Sequence, residues 1–280
     1  MALLGPAQIR SLARELDLQP TKKLGQNFVI DQNTVRRIAA LAQVGPGDIV
    51  LEVGPGLGSL TLALLETGAR VEAVEIDPRL AQRLPRTVAE FAPGAAGRLT
   101  VRCEDAVGMP PAAPATAFVA NLPYNTGVPI LLNVLAHFPT VRSGVVMVQS
   151  EVAHRLTALP GSRTYGVPSV KTAWWAQATW VGKVGADVFW PAPNVQSGLV
   201  RLLRHPVEQP QLRAPTFAAI DAAFAQRRKM LRSALRDWAA PLPATEVLEA
   251  AGIDPSRRGE SLSVAEFRTL AGAKLRLTGP

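Results

Sequence analysis

The chain has 280 residues, 30 Lys and Arg against 22 Asp and Glu, a net charge of +8, three His and one Cys. The single Cys103 excludes an internal disulfide and a cysteine-built zinc site, and His137, His154 and His205 form no helical pair of the zinc-hydrolase kind. With 48% hydrophobic residues the chain can bury a core, its apolar runs fall short of the about 18 residues needed to span a bilayer, and its basic excess suits a polyanionic partner. The opening MALLGPAQIRSLARELDLQP has charges at helical spacing and no apolar signal core, so a cytoplasmic protein without a membrane segment is expected.

Residues 2–18 read as a helix, followed by a basic, glycine-containing loop over 21–29. Asp31 or Asn33 can cap the next helix, which runs through Val35, Ile38 and Leu41 and ends at Gly45-Pro46-Gly47. Strands and helices then alternate. Residues 49–53, 70–76, 99–103, 117–120 and 144–148 are predicted strands. Residues 59–66 and 80–91 are predicted helices, the second despite Pro85. Such alternation predicts right-handed crossovers and a mostly parallel sheet. Cys103 is expected to be a buried strand residue.

From Ala176 the pattern changes. Residues 176–181 and 198–203, joined by Phe189-Trp190-Pro191-Ala192-Pro193, predict an antiparallel pair closing the sheet. After His205-Pro206 the chain turns helical to its end. A boundary near Arg204 is predicted, between a domain of 1–204 and a smaller all-helical domain of 205–280. Residues 217–238 read as one helix, with Phe217, Ile220, Phe224, Leu231, Leu235 and Trp238 on one face at about 100° per residue. Arg228, Arg232 and Arg236 line its flank, with Lys229 near them. This basic row is either a solvated flank or a track for a phosphate backbone. Lys22 and Lys23 offer a second patch. Trp174, Trp175, Trp180 and Trp190 are expected to pack a core or rim.

Two motifs carry the chemistry. The first is Glu52-Val53-Gly54-Pro55-Gly56-Leu57-Gly58, between a strand and a helix. Its G-x-G-x-G spacing departs from the dinucleotide fingerprint G-x-G-x-x-G. Glu75 ends the next strand, where a carboxylate can accept both ribose hydroxyls of a nucleoside. Ile76 would lie against an adenine face, and Asp105 could accept the adenine amino group. A nucleoside without a pyrophosphate fits this set, which suits S-adenosyl-L-methionine at least as well as NAD.

The second motif, Asn121-Leu122-Pro123-Tyr124, follows the fourth strand. An exocyclic amine of adenine is a poor nucleophile, because its lone pair is delocalised into the ring. Acceptors on its N–H groups, the Asn121 side chain and the Leu122 backbone, would draw it toward tetrahedral geometry. Pro123 fixes the turn, and Tyr124 offers a face for a flipped base. Catalysis is then positioning and electrostatics. Taken alone, the motif could be a turn at a strand end.

In this order the motifs resemble the ribosomal small-subunit RNA adenine dimethyltransferases, the bacterial enzymes linked to kasugamycin sensitivity. The resemblance runs nearly end to end. It takes in residues 22–28, 52–58, 75–77, 104–106, 121–125, 149–153, Tyr165-Gly166, 189–197, 226–229 and 260–263. It implies a Rossmann-like S-adenosylmethionine-dependent methyltransferase sheet with a helical C-terminal domain. It also implies dimethylation of N6 on two adjacent adenosines, in a hairpin near the 3′ end of 16S rRNA, and a role in late 30S biogenesis. The cofactor contacts it implies are Asn27, Val29, Gly54, Glu75, Asp105 and Asn121. Phe189 would be a second aromatic wall opposite Tyr124. The expected partner is 16S rRNA in a 30S precursor, with no obligate protein partner and a monomeric chain.

Two positions depart from the family pattern. Val29 stands where the family usually has Leu, and Pro168 stands where it usually has Leu. Three rival readings remain. One is a 23S rRNA methyltransferase of the macrolide-resistance type, disfavoured by the C-terminal motifs. Another is an RNA-binding assembly factor whose methylation is dispensable. The third is an NAD-dependent dehydrogenase resting on the glycine loop alone.

Overall fold

The computed structural model describes residues 2–18, 27–110 and 114–279. Helix α1 (Pro6–Glu15), strand β1 (Phe28–Val29) and helix α2 (Gln32–Ala42) come first. Helix α1 is shorter than expected because it starts at Pro6, whose fixed φ suits a first helical position. Asp31 caps α2 by accepting the Thr34 N–H at 2.7 Å.

The alternating stretch comprises β2 (Ile49–Val53), α3 (Ser59–Glu66), β3 (Arg70–Glu75), α4 (Pro78–Phe91), β4 (Leu99–Cys103), β5 (Ala117–Asn121), α5 (Gly127–His137) and β6 (Ser143–Gln149). Asp77 caps α4 with Pro78 in its first turn, and Pro85 is accommodated inside that helix. Next come α6 (Ser150–Leu156), α7 (Val167–Ala173), β7 (Ala176–Val184), β8 (Phe189–Trp190) and β9 (Ser197–Arg204).

One sheet has the order β4-β3-β2-β5-β6-β9-β7. The pairs β2–β3, β3–β4, β2–β5 and β5–β6 are parallel, and β9 runs antiparallel to β6. This is a Rossmann-like, mostly parallel sheet. Strand order reverses at β2, which lies between β3 and β5. Loops leaving the carboxyl ends of β2 and β5 therefore diverge, and a crevice opens there. Strands covered on both faces should be continuously apolar. Strand β2 obeys this except at Glu52, which is buried at 1% exposure. Cys103 is exposed, contrary to expectation, because β4 is an edge strand with little cover.

The chain divides into two compact units. The first is residues 1–153 with 178–204, and the second is residues 154–177 with 205–280. The division expected at Arg204 therefore assigned 154–177 to the wrong unit. The reason is packing: Tyr165 and Val170 are buried in one cluster with Ile220, Leu235, Leu262 and Phe267. The Tyr165 hydroxyl also donates to the Leu262 carbonyl at 2.9 Å.

The second unit holds α8 (Arg213–Ala225), α9 (Leu231–Ala234), α10 (Arg236–Ala239), α11 (Ala244–Ala250) and α12 (Val264–Thr278). The single helix predicted over 217–238 is broken in two places. Met230 is extended, with φ −65° and ψ 151°. Leu231 N–H donates to the Arg257 carbonyl at 2.7 Å and Arg232 N–H to the Pro255 carbonyl at 3.1 Å. These tertiary bonds replace the intrahelical ones that apolar periodicity suggested. Among the described residues no helix is long and apolar enough to cross a membrane.

Candidate active site

A cavity of about 200 Å³ lies at the carboxyl ends of β2, β3 and β5. Asn27, Val29, Gly54, Glu75, Ile76, Asp105, Asn121, Leu122 and Tyr124 all line it. Residues far apart in sequence are thus brought to one crevice by the strand order.

The glycine loop owes its shape to positive φ. Gly56 has φ +59°, and a Cβ there would lie 3.0 Å from the Phe28 ring; Gly58 has φ +99°, and a Cβ there would meet Leu84 Cδ1 at 2.8 Å. A side chain at Gly58 would be strained by this left-handed backbone and would crowd the Leu84 side chain of α4. The loop also reaches Glu75: Gly56 N–H donates to Glu75 Oε2 at 3.1 Å, and Asp77 N–H to Glu75 Oε1 at 3.0 Å. Burial pushes the Glu75 pKa up, and these two N–H donors oppose the rise. The carboxylate is held in place with lone pairs left over for ligand hydroxyls.

Ile76 is 51% exposed at the cavity rim, an unusual position for a large aliphatic side chain and one suited to a flat apolar ligand face. Asp105 accepts the Val107 N–H at 2.8 Å, which fixes its rotamer. Leu122 N–H donates to the Met147 carbonyl at 3.0 Å, extending the β5–β6 ladder past Asn121. Asn121 Nδ2 donates to the Asn27 backbone carbonyl at 3.2 Å, leaving Oδ1 as the acceptor end of the amide. The Tyr124 hydroxyl lies 3.4 Å from Ser197 Oγ, which is fully buried.

Three expectations need correction or fall elsewhere. Phe189 does not line the cavity; it is 3% exposed, packed in the core and paired with Val29 in a short β1–β8 ladder. The aromatic ring that lines the cavity from this ladder is Phe28, whose neighbour Trp190 stacks on it with centroids 6.4 Å apart. Arg228, Lys229, Arg232 and Arg236 are exposed in the second unit, but on a turn and two short helices instead of one helical row. Lys22 and Lys23 lie outside the described residues.

Sequence reasoning gave no role to Glu52, Phe28 or Ser59, which also line the cavity. Ser59 Oγ donates to the Val29 carbonyl at 2.7 Å and ties β1 to the start of α3. The available signal for Glu52 was a lone charge inside the apolar strand Ile49-Val50-Leu51-Glu52-Val53. The ionisable side chains around the cavity are Glu52, Glu75, Asp105 and Tyr124, with no cation among the described residues.

The profile of the family described as "Ribosomal RNA adenine dimethylase" matches residues 18–273. A relative from Kineococcus radiotolerans, named "Ribosomal RNA small subunit methyltransferase A", is 59% identical over 273 residues, covering 96% of this chain and 91% of the relative. A dimethyladenosine transferase from Plasmodium falciparum shares the fold, with a TM-score of 0.73 at 23% identity over 87% of this chain and 95% of that one. The 23S rRNA methyltransferase ErmE superposes with a TM-score of 0.67 at 26% identity, covering 88% of this chain and 99% of that one. The chain belongs to the ribosomal RNA adenine dimethylase family.

Proposed function

We propose that this protein dimethylates N6 of two adjacent adenosines, in a hairpin near the 3′ end of 16S rRNA, during late assembly of the 30S subunit in the cytoplasm. The observation that carries this reading is Asn121-Leu122-Pro123-Tyr124 at the end of β5, lining a crevice shaped for a nucleoside. The names of the close relatives support the small-subunit substrate.

The cavity fits S-adenosyl-L-methionine. Glu75, Ile76 and Asp105 line it together; Glu75 would accept the ribose hydroxyls, Ile76 would cover an adenine face and Asp105 would accept its amino group. Asn27, Val29 and Gly54 would wall the amino-acid end. The cofactor supplies an electrophilic methyl group. The protein's part is to present the amine. Asn121 Oδ1 and the Leu122 backbone carbonyl would accept from the N6 hydrogens of the target base, so that its lone pair turns out of the ring plane toward the methyl group. Tyr124 would stack on the extruded base. The amine becomes acidic only once methylated, so no strong base is required. Phe189, sunk in the core, has no part in this account. Arg228, Lys229, Arg232 and Arg236 would contact RNA phosphates.

The test is mass spectrometry of adenosines after incubating under-methylated 30S particles or 23S-derived RNA with the protein and S-adenosyl-L-methionine. Dimethyladenosine in the 16S hairpin is expected. Methyl incorporation only into 23S-derived RNA would move the protein to the macrolide-resistance type. Assembly promoted without any incorporation would make it a binding factor.

A further inference from the structure

The chain that leaves β4 has no helix or strand over residues 104–110, yet it brings Asp105 and Ala106 to the cavity. Backbone outside a ladder keeps its place through the groups that satisfy its carbonyls. The start of this stretch is tied to β3, where Glu104 N–H donates to the Glu75 carbonyl at 3.1 Å. Its end is tied to β4, where Arg102 Nη2 donates to the Pro110 carbonyl at 3.1 Å. The middle is held from α5. Asn133 Nδ2 donates to the Ala106 and Met109 carbonyls, both at 3.3 Å. Carbonyls cannot donate, so this end of the amide is the NH₂ group and Oδ1 is its acceptor end. His137, one turn further along α5, fills that acceptor by donating from Nδ1 at 2.7 Å. Ile130, one turn before Asn133, lines the cavity, and α5 itself follows the Asn121-Leu122-Pro123-Tyr124 motif.

We infer that Asn133 is a positioning residue for base selection at the cofactor site: by pinning the carbonyls on either side of Val107 and Gly108, it holds the Asp105 carboxylate where it accepts from the exocyclic amino group of a purine. This rests on the cavity taking S-adenosyl-L-methionine with its adenine beside Asp105. Asn133 is not among the residues lining the cavity, so its influence runs through Asp105 and Ala106. Asp105 is exposed, and its bond from the Val107 N–H fixes the carboxylate only relative to its own loop. Asn133 fixes that loop relative to α5. A carboxylate held there welcomes an amino group and rejects a carbonyl, because two acceptors then face each other unpaired. Once the loop is released, the carboxylate turns to water and the selection fades, while the geometry at Asn121 is unaltered.

The test is isothermal titration calorimetry of the full chain with S-adenosylhomocysteine and with S-inosylhomocysteine, which carries a carbonyl oxygen in place of the exocyclic amino group. The unaltered protein should prefer the adenosyl compound by about 10–100-fold. In Asn133→Ala that preference should fall by about tenfold, through weaker binding of the adenosyl compound alone. KM for S-adenosyl-L-methionine should rise by a similar factor with kcat unchanged, since Asn121 and Tyr124 are untouched. In an Asp105→Ala background, Asn133→Ala should have no further effect on the preference. His137→Ala, at an exposed position, removes only the support of Asn133 Oδ1 and should give a smaller fall in the same direction. Should Asn133→Ala fail to fold, Asn133→Asp, of the same shape with no N–H to donate, and His137→Ala carry the comparison. A preference undiminished in the folded variants, or both compounds weakened alike, overturns the inference and leaves the cofactor assignment standing. An unaltered chain that binds both compounds equally well overturns the inference together with the placement of adenine beside Asp105. One that binds neither overturns the cofactor assignment as well.

Discussion

The Asn121 side chain is tied to the Asn27 backbone, 94 positions away, by an Nδ2–H···O=C bond of 3.2 Å. That bond decides which end of the amide is an acceptor. Asn27 immediately precedes β1, so the segment that roofs the cavity also sets the orientation of a side chain proposed to grip the substrate amine.

Replacing Asn121 by Ala removes that acceptor and keeps the backbone. Loss of one oriented group acting in a transition state lowers kcat by about 10²–10³. RNA affinity should change little, because phosphate contacts dominate it. Single-turnover methylation and filter binding on the same preparation check the two halves separately.

Tyr124 should act through its ring. Tyr124→Phe gives up only a 3.4 Å contact with Ser197 Oγ and should stay close to full activity. Tyr124→Ala removes a stacking platform worth about 1–3 kcal/mol per base. A kcat/KM loss in Tyr124→Phe as large as in Tyr124→Ala would show the hydroxyl, and not the face, to be the working part.

Stability without ligand should fall as pH rises. Glu52 has a folded-state pKa of about 8 against an ordinary 4.5, so the folded chain binds more protons than the unfolded one between those values. The stabilisation is fully present below pH 4.5 and is lost as pH climbs through about 8. Glu75 is shifted in the same direction, also by burial. Thermal melts of the ligand-free protein should show a lower Tm at pH 8 than at pH 5.5. Glu52→Gln should narrow that gap and raise Tm at pH 8 by several degrees, on the order of a few kcal/mol.

Neighbouring arginines should separate into two roles. Arg227 donates to the Tyr165 and Arg163 carbonyls at 2.6 and 2.9 Å and pairs with Glu260 at 2.8 Å. Arg227→Ala should destabilise the second unit by about 1–3 kcal/mol, read in urea denaturation. Arg228 and Arg232 are exposed, and replacing either by Ala should leave Tm unchanged. Each of those changes should lower the salt slope of RNA binding by about 1.

The sheet was legible because its parallel strands are short apolar runs, punctuated by Gly45-Pro46-Gly47 and by Asp77, whose capping role is local chemistry. The cavity was legible for a related reason: Gly54, Glu75, Asp105 and Asn121 sit at strand ends, and parallel topology collects strand ends on one edge. What escaped depended on tertiary partners. The helix over 217–238 breaks at Met230 because the carbonyls of Pro255 and Arg257 take the next two N–H groups. Phe189 belongs to the core because β8 pairs with β1, two strands of two residues each that carry no periodic signal. Glu52 sat inside a motif, and its burial could not be known before both faces of β2 were covered.

The excursion of residues 154–177 into the second unit has a practical corollary for any shortened form of this protein. A gene ending after codon 204 would not encode a self-sufficient catalytic half. Its product would carry Tyr165, Val170 and Trp174 stripped of Ile220, Leu262 and the Phe217 ring that Trp174 meets edge-on at 5.9 Å. That raw oily surface would make the fragment a client of chaperones and proteases. Nonsense mutations late in the reading frame should therefore lower the amount of protein in the cell before they reveal anything about RNA recognition.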